Sequence, residues 1–472
     1  MKRGLAARTL AASLLCAAVS SCLSAGAGSG LVGRLGGFGR GAQVKADGIL
    51  GVILDVTGTL AAVQDESSRT IFMVAVPEDE RADLAPGLTV EVTGSMKDGI
   101  LRAHSVRVSG GDPWPEAAGI QESADRIQHV LFLLQENHSF DNYFGAFPGA
   151  DGTPFGLTVE GVSPFHLSSP RTRNLPHGKY TVLQATDGGS MDRFLSAEHS
   201  NDTMGFYDGT DIPNYWKYAR SLTLADRFFC SSVGPSLPNH LFALAASAGD
   251  VESNTMRPPR GGYVFPCLPE RLQSAGISWR VYDGGFPPGS FSPLDPFPGF
   301  SSFMKSETLR AGLVGSARLF QDLRSGRLPQ VGWIFPNPEE SEHPLTDIRV
   351  GMWYVTAVVN ALMKSPYWPT TVLVVSWDEY GGFYDHVPPP RVDAQGYGLR
   401  VPALIISSRA RAGYVDHTSY DFSSVLKLVE TRFGVAPLSD RDASAQDISA
   451  SLDMSQPPRP PLLIGQAGAA SP

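Results

Sequence analysis

Short hydrophobic runs separated by turn residues dominate the part of the chain before residue 110. The runs are rich in Val, Ile, Leu and Thr, and Gly58, Pro86-Gly87 and Asp98-Gly99 separate them. This punctuation is typical of strands joined by tight turns. The pattern predicts five strands, at 48–56, 59–63, 70–76, 88–93 and 100–108. Five strands in so short a segment favour a small all-β barrel, with an OB-like topology as one candidate.

The hydrophobic pattern changes after about residue 120. Continuous apolar runs now alternate with helical stretches, and the runs lie at 127–134, 277–282, 331–335, 371–377 and 403–407. Strands that are buried on both faces have this pattern, so the segment predicts an α/β fold with a sheet sandwiched by helices. A helix is also predicted up to Phe433, because Leu426, Val429 and Phe433 follow helical spacing and Gly434 suits the position after a helix end.

The N-terminal residues have the pattern of an export signal. A basic start precedes an apolar stretch at 10–19 that is too short to span a bilayer. The stretch ends in Val19-Ser20-Ser21-Cys22, which resembles a bacterial lipobox and predicts a lipidated Cys22 as membrane tether. The alternative is an ordinary signal peptide cleaved near Ala25 or Ala27. Either interpretation predicts an exported protein, periplasmic or at the cell surface.

Composition limits the class of protein further. The chain has 472 residues, 42% of them hydrophobic and 18% charged, which is typical of a globular protein with a sizeable core. The formal net charge is −9 and no run of Lys or Arg follows the N-terminus, so no nucleic-acid partner is expected. Cys230 and Cys267 could form a disulfide outside the cytoplasm or stay buried thiols.

These patterns predict a chain of six segments, and the β domain is expected to be a spacer or docking module. The segments are a signal peptide with lipobox at 1–22, a Gly-rich tether at 23–46, a small β-barrel-like domain at 47–109, a linker at 110–119, a catalytic domain at 120–454 and a disordered tail at 455–472.

Acidic residues follow two of the predicted buried strands. Gln135-Glu136-Asn137-His138 comes after the strand at 127–134, and Asp378-Glu379-Tyr380-Gly381 comes after the strand at 371–377. Ligands of open α/β sheets bind beyond the carboxyl ends of the strands. Carboxylates buried there would need a compensating charge, and oxygen ligands suit a divalent cation. The alternative is that both clusters are solvated loop residues.

Ser236 is the candidate nucleophile. It lies in Gly234-Pro235-Ser236-Leu237-Pro238-Asn239-His240, directly before a predicted helix at 241–247. A helix N-terminus favours bound phosphate and a developing alkoxide. A Ser hydroxyl still needs a base or a metal ion to become a strong nucleophile. Taken alone, Ser236 could equally be a helix-capping residue.

Three loop histidines are candidates for binding phosphoryl oxygens or protonating a leaving group: His177, His343 and His386. His104, in the β domain, and His129, inside a strand, are expected to be structural. The segment 284–300 carries Phe286, Phe291, Phe297 and Phe300, and it is expected to be either a lipid-facing lid or an ordinary surface loop.

Several motifs together resemble the bacterial phosphoesterase family that contains phosphatidylcholine-type phospholipases C and secreted acid phosphatases. The matching motifs are Glu136-Asn137-His138-Ser139-Phe140-Asp141, Gly234-Pro235-Ser236-Leu237-Pro238-Asn239, Ser341-Glu342-His343-Pro344 and the segment from Asp378 to His386. They occur in order between about residues 125 and 445.

The resemblance implies an alkaline-phosphatase-like fold and a metal-dependent phosphoesterase with a serine nucleophile. It implies one divalent ion of unknown identity, with Glu136, Asn137, Ser236, Asp378 and Glu379 as ligands. Ser236 would form a phosphoseryl intermediate, and His177, His343 and His386 would complete the catalytic set.

The chain also departs from the family pattern. Many phospholipase members carry Thr in place of Ser236 and Arg in place of His240, and members often show His in place of Phe422. The Ser form is closer to the acid phosphatase branch. The resemblance therefore fixes phosphoester hydrolysis better than it fixes the substrate. The substrate expected is a phospholipid, with a small phosphomonoester as the alternative.

Two other functional classes are alternatives to this interpretation of the sequence. One is a non-catalytic surface lipoprotein whose esterase domain has decayed, and the complete set of candidate site residues argues against it. The other is a sulfatase relative. Sulfatases need a modified residue in a Cys/Ser-x-Pro-x-Arg motif, and Ser236-Leu237-Pro238-Asn239-His240 lacks the Arg.

Overall fold

The structure, a computed structural model, describes residues 48–116, 126–154, 156–285 and 289–465. The predicted signal peptide with Cys22 and the predicted tether at 23–46 lie outside the described residues. Within the described ranges, no helix has both the length and the apolar composition needed to cross a bilayer.

The first five strands form a closed barrel in the order β1-β2-β3-β5-β4. They are β1 (Ile49–Thr57), β2 (Leu60–Asp65), β3 (Ile71–Ala75), β4 (Thr89–Lys97) and β5 (Ile100–Gly110). β3 and β5 pair in parallel, β1 closes on β4, and the remaining pairs are antiparallel. This is the strand order of an OB barrel, so the predicted small all-β domain is confirmed.

An eight-stranded mixed sheet follows, in the order β11-β10-β12-β6-β13-β14-β9-β15. Its strands are β6 (His129–Gln135), β9 (Thr223–Ala225), β10 (Trp279–Asp283), β11 (Leu313–Gly315), β12 (Val331–Phe335), β13 (Thr371–Trp377), β14 (Ala403–Ser407) and β15 (Tyr414–Asp416). The run from β11 to β13 is parallel, and β14 is antiparallel to both of its neighbours. A separate parallel pair consists of β7 (Phe165–His166) and β8 (Gly205–Phe206).

Helices pack on the sheet, and the predicted α/β class is confirmed. The helices are α1 (Phe140–Phe144), α2 (Lys179–Thr186), α3 (Phe194–Glu198), α4 (Pro213–Ser221), α5 (Ser236–Ala245), α6 (Leu268–Ser274), α7 (Ser301–Lys305), α8 (Glu307–Arg310), α9 (Ala317–Ser325), α10 (Ile348–Lys364), α11 (Phe422–Phe433) and α12 (Asp440–Ser444). Single 3₁₀ turns lie at Glu78–Glu80, Asp187–Gly189, Asn201–Met204, Phe297–Gly299, Trp368–Thr370 and Ile448–Ser451.

The barrel is packed against the α/β part, and both belong to the compact unit Gly39–Pro472. Outward-facing barrel residues are part of the same hydrophobic core as the central sheet: Leu54, Leu60, Ala62, Ile71, Met73 and Ile100. The N–H of Ile71 donates to the carboxylate of Glu340, and Asn337 Nδ2 donates to Thr70 Oγ1 at 3.3 Å. The expected spacer is thus joined to the α/β part by buried apolar and polar contacts.

Two loop predictions need correction. Residues 455–465 are extended but hydrogen-bonded, since Ile464 O accepts from Asn360 Nδ2 at 2.9 Å and Gly465 O accepts from Thr59 N at 2.9 Å. The tail expected to be disordered is therefore packed up to residue 465. In the Phe-rich segment, Phe297 and Phe300 are fully buried, and Phe297 lies 5.5 Å from Trp333 between ring centroids. These two rings face the core and not a lipid surface.

The remaining predictions concern Phe286, the two cysteines and Phe422. Phe286 lies outside the described residues. Cys230 and Cys267 are buried free thiols in the structure. Phe422, the position where family members often show His, is fully buried and packs against Phe132.

Candidate active site

Two acidic loops meet at the carboxyl edge of the sheet because β6 and β13 are parallel neighbours that end in register. Glu136 and Asp378 are the first residues after the two strands. Asp378 Oδ1 accepts hydrogen bonds from the backbone N–H groups of Asn137 at 2.8 Å and Glu379 at 2.7 Å. The four predicted ligands on these loops are thereby held in one cluster.

Left-handed backbone allows the two loops to approach each other so closely. Asn137 has φ 63° and Gly381 has φ 64°. A Cβ atom on Gly381 would lie 2.0 Å from the carbonyl oxygen of Asn137, so only glycine fits there. The N–H of Gly381 donates to Glu379 Oε2 at 3.0 Å, which orients that carboxylate.

Helix α5 brings Ser236 to the acidic cluster. The helix begins at Ser236 itself, one difference from the prediction, which placed this residue before the helix. Ser236 Oγ donates to Glu136 Oε2 at 3.2 Å, and the side chain is buried. Asn239 fixes the preceding loop, because its Nδ2 donates to the carbonyls of Gly234 and Pro235, both at 3.2 Å. The hydroxyl therefore sits at a helix N-terminus, next to a carboxylate.

The buried carboxyls of the cluster have strongly perturbed pKa values. Burial raises the pKa of Glu136 to about 8. Burial, together with the charge of Glu136, raises the pKa of Asp378 to about 7. Burial and the neighbouring Asp378 hold the pKa of Glu379 well above its usual range. Carboxyls with such values at a sheet edge are typical of functional sites.

Several polar atoms of the cluster have no hydrogen-bond partner among the described residues. They are Asn137 Oδ1, Asp378 Oδ2 and Glu379 Oε1, all buried. Buried polar atoms are normally satisfied, so each leaves a desolvation penalty uncompensated. Carboxylate and amide oxygens are ligands of hard divalent cations. The donor set therefore fits a divalent cation.

His177 and His343 lie beside the cluster. His177 Nε2 accepts from Asn137 Nδ2 at 3.4 Å and lies 4.0 Å from Glu379 Oε1, while its Nδ1 bonds the carbonyl of Leu175 at 2.6 Å. The rings of His177 and His343 are 6.3 Å apart between centroids. Burial lowers the pKa of both, to about 4 for His343. Their proposed catalytic roles stay predictions.

His386 belongs to a different network. Its Nδ1 contacts Asp141 Oδ2 at 2.7 Å and its Nε2 contacts Asp151 Oδ1 at 3.3 Å. The buried Arg400 joins this network through Asp385 at 2.8 Å and Asp141 at 3.0 Å. Within the described residues, His386 has no hydrogen bond or ion pair to Ser236 or to the four loop ligands. Its predicted role is untested.

Two buried residues of the site are not among the catalytic and metal-binding residues predicted from the sequence. One is His240, a departure from the family pattern, whose Nε2 lies 3.0 Å from Glu136 Oε1. Glu342 lies next to His343 and accepts hydrogen bonds from Tyr143 and Trp377 at 2.7 and 3.0 Å. The signal for Glu342 was its place in the Ser341–Pro344 motif. His240 had a signal too, since it follows Ser236 by one helical turn.

Together, the mixed sheet and the buried site at its carboxyl edge define an α/β enzyme with carboxylate, hydroxyl and imidazole groups at the carboxyl ends of its strands. A family model described as the Phosphoesterase family matches residues 127–436. The chain belongs to this family. The predicted recognition and the predicted enzyme class, a hydrolase of phosphoric esters, are confirmed.

The chain is similar to several named phospholipases. It is 30% identical over 411 residues to phospholipase C A of Mycobacterium tuberculosis, covering 70% of this chain and 78% of the relative. It is 29% identical to phospholipase C B of the same species, covering 71% and 79%. It is 32% identical to the non-hemolytic phospholipase C of Pseudomonas aeruginosa, covering 66% of this chain and 54% of the relative.

Solved structures with similarity to the chain are more distant. One is a protein in the alkaline phosphatase superfamily from Vibrio parahaemolyticus, at 13% identity and a TM-score of 0.33, covering 71% of this chain and 72% of the other. Another is murine ectonucleotide pyrophosphatase/phosphodiesterase 5, at 9% identity and a TM-score of 0.36, covering 66% and 96%.

Proposed function

We propose that this protein is a metal-dependent phosphodiesterase of the phospholipase C type, with Ser236 as nucleophile. The observation that carries the proposal is the position of the Ser236 hydroxyl. It lies at the first residue of α5 and donates to Glu136 at 3.2 Å, within a buried acidic cluster. The relatives named phospholipase C support the substrate class.

The divalent ion of this proposal would be held by Glu136, Asn137, Ser236, Asp378 and Glu379. A divalent cation bound there would neutralise charge on the phosphoryl oxygens and lower the pKa of the hydroxyl. The unpartnered oxygens of Asn137, Asp378 and Glu379 support this assignment.

The reaction would proceed in two displacements. Ser236 Oγ forms a bond to phosphorus while the bond from phosphorus to the alcohol oxygen breaks, and the hydroxyl hydrogen passes towards Glu136, which already accepts it. The leaving alcohol takes a proton from an imidazole, for which His177, His343 and His386 are the candidates. Water then cleaves the phosphoserine. The N-terminus of α5 stabilises the negative charge that develops at its first residue.

Hydrolysis of two chromogenic substrates tests the proposal. The substrates are p-nitrophenyl phosphorylcholine, a diester, and p-nitrophenyl phosphate, a monoester. We expect the diester to have the higher kcat/KM, and Ser236→Ala to lower it by about 10³-fold or more, as loss of a serine nucleophile does. Ser306→Ala is the matched control. Ser306 also stands at a helix start, but its hydroxyl accepts from the backbone N–H of Leu309 and does not contact a carboxylate of the cluster.

Metal dependence is tested in the same assay. A chelator should abolish turnover by the wild type, and added divalent ion should restore it. Full activity of Ser236→Ala, or of chelated and dialysed protein, would overturn the mechanism.

A monoesterase of the acid phosphatase type is the second candidate. Ser236 itself favours it, because many phospholipase members of the family carry Thr there. A higher kcat/KM for p-nitrophenyl phosphate than for the diester would establish this alternative and refute the phospholipase assignment.

Export and lipidation complete the proposal, and they rest on the sequence of residues 1–22, which lie outside the described residues. In a bacterial host, we expect radiolabelled palmitate to be incorporated into the full chain and not into Cys22→Ser. Labelling of neither chain would refute lipidation. Retention of the full chain in the cytoplasm would refute export.

A further inference from the structure

His240 faces the acidic cluster from the same side of α5 as Ser236, because the two residues are one helical turn apart. Its side chain is fully buried. The Nε2 atom lies 3.0 Å from Glu136 Oε1 and 3.8 Å from Asp378 Oδ2. Glu136, His240 and Asp378 each offer one ligand atom, and these atoms all lie within 4.8 Å of one another.

A hydrogen bond accounts for only one of these two approaches. The distance of 3.0 Å to Glu136 is that of an ordinary hydrogen bond, whereas 3.8 Å to Asp378 is too long for one. Asp378 Oδ2 is buried and has no hydrogen-bond partner among the described residues. A shared cation would satisfy it, since two donors each about 2.0–2.2 Å from one ion can be at most about 4.4 Å apart.

We infer that His240 supplies a nitrogen ligand to the metal ion and that this ligand selects a borderline transition ion of the Zn²⁺ type over Mg²⁺ and Ca²⁺. The inference rests on the metal site of the proposed function. Imidazole suits such ions, whereas Mg²⁺ and Ca²⁺ prefer sets made of oxygen alone. The five ligands assigned under the proposed function all bind through oxygen, so His240 changes the donor chemistry of the site.

His240 is also a departure from the residue that many phospholipase members of the family carry. The position is one where many phospholipase members carry Arg, whose guanidinium is always protonated and cannot ligate a cation. A neutral imidazole with its proton on Nδ1 can, because Nε2 then has a free lone pair, and ligation would replace the Nε2 hydrogen bond to Glu136. The two neighbours of Nε2 are carboxylates of the proposed site. The preference for the Zn²⁺ class is therefore expected of this chain and not of members that carry Arg.

Metal affinity tests the inference without reference to activity. Metal-free wild type, His240→Gln and His240→Asn compete with a chromophoric chelator for Zn²⁺ and, in parallel, for Mg²⁺. Gln keeps an N–H that can donate to Glu136 but cannot replace the imidazole ligand. Because loss of even an outer-shell partner costs about 10–100-fold in affinity, we expect at least a tenfold loss for Zn²⁺ in both variants. We expect a change of less than about threefold for Mg²⁺, which His240 does not ligate here.

His104→Gln is the matched control, since His104 is exposed on the barrel strand β5. It should bind both ions like the wild type. An equal loss of Zn²⁺ and Mg²⁺ affinity in His240→Gln would identify a positioning residue and overturn the inference. Unchanged Zn²⁺ affinity in both His240 variants would overturn it as well.

Pulsed electron paramagnetic resonance of the Cu²⁺-loaded protein detects the ligand directly, because Cu²⁺ is paramagnetic and shares the preference of Zn²⁺ for imidazole. We expect a ¹⁴N imidazole coupling in the wild type and in His104→Gln, and its loss in His240→Gln. A wild type that binds Cu²⁺ without nitrogen coupling overturns the inference and leaves the proposed function intact. A wild type that binds no divalent ion overturns both.

Discussion

The geometry of the site depends on the absence of a Cβ atom at Gly381. The loops after β6 and β13 meet where the backbone of Gly381 touches the carbonyl of Asn137, and both residues have positive φ. The contact holds Asn137 against Asp378 and lets the Gly381 N–H orient Glu379. A side chain at Gly381 would therefore separate the ligand loops.

Gly381→Ala should lower kcat/KM for the phosphodiester at least 100-fold, because a change of about 1 Å in catalytic geometry costs that much. Gly396→Ala is the matched control. Gly396 has φ 68°, close to the 64° of Gly381, but a Cβ there meets nothing within 4 Å. The control shares the backbone strain without the clash and should keep its activity. Similar activities of the two variants would refute the role given to Gly381.

Individual site residues differed in how far the sequence predicted them. Glu136 and Asp378 follow apolar runs, so their position at the strand ends was predictable. Their pairing was not, because it depends on β6 lying beside β13, more than 230 positions apart along the chain. His240 was missed because the helix was predicted to begin at residue 241, so the one-turn spacing between Ser236 and His240 could not be used.

At the scale of secondary-structure elements, the predicted bounds agree with the structure where a strand is buried on both faces. The strands β12, β13 and β14 were predicted with the bounds that the structure has, since residues buried on both faces leave continuous apolar runs. The three-residue strands β9, β11 and β15 were not predicted. Their assignment as strands comes from pairing with neighbours, for which so short a segment carries no periodic signal.

Asp283, at the end of β10, and Asp295, in the loop that follows, form a pair of buried acids. The pair gives a prediction about the stability of this loop. Asp283 accepts backbone N–H bonds from Gly285 at 2.7 Å and Gly289 at 3.3 Å. Asp295 is fully buried against it, and Asp295 Oδ1 accepts from Phe297 N at 3.1 Å. Burial and the Asp283 charge hold the pKa of Asp295 well above its usual range. We therefore expect Asp295 to hold the proton of the pair.

Asp295→Asn should remove a pH-dependent loss of stability. Because the folded-state pKa is raised, the protonated carboxyl stabilises the fold fully below the unfolded pKa of about 4, and this contribution falls as pH rises towards the folded pKa. An amide can donate to Asp283 and accept from Phe297 N at every pH. The variant should therefore gain in free energy of unfolding relative to the wild type between pH 5 and pH 8.

Urea denaturation at both pH values measures this difference. Asp83→Asn, at an exposed barrel position, is the control and should follow the wild type at both. A difference between Asp295→Asn and wild type that does not grow with pH would contradict the assignment of the proton to Asp295.

At the scale of the whole molecule, the barrel and the α/β part form one folded structure. The composition of the barrel strands predicted the barrel but not its packing against the α/β part. Outward-facing apolar residues indicate that a surface is covered, but the sequence does not identify the segment that covers it. The structure shows that β3 packs its outer face into the central core and that Ile71 N donates to Glu340, three residues before His343. The barrel thus supports the segment that carries a candidate catalytic residue.

Two isoleucines of the barrel separate docking from barrel stability. Ile71 is buried in the core shared with the sheet, and Ile53 is buried in the core inside the barrel. Each change to Ala should lower the free energy of unfolding by about 2–5 kcal/mol. Only Ile71→Ala should also lower kcat for the phosphodiester, measured well below the melting temperature of either variant. Equal kcat values for both variants would show that the packing of the barrel against the α/β part does not affect catalysis.

The hydrogen bond between Thr59 and Gly465 has a consequence for the order of events during synthesis. It joins positions 406 residues apart, and Ile464 is tied to α10 at the same place. The barrel strands leave the ribosome early, yet this contact cannot form until residue 465 has been translated. Closure of this side of the barrel therefore follows the synthesis of residue 465, and a nascent chain that stops short of residue 464 would keep it open.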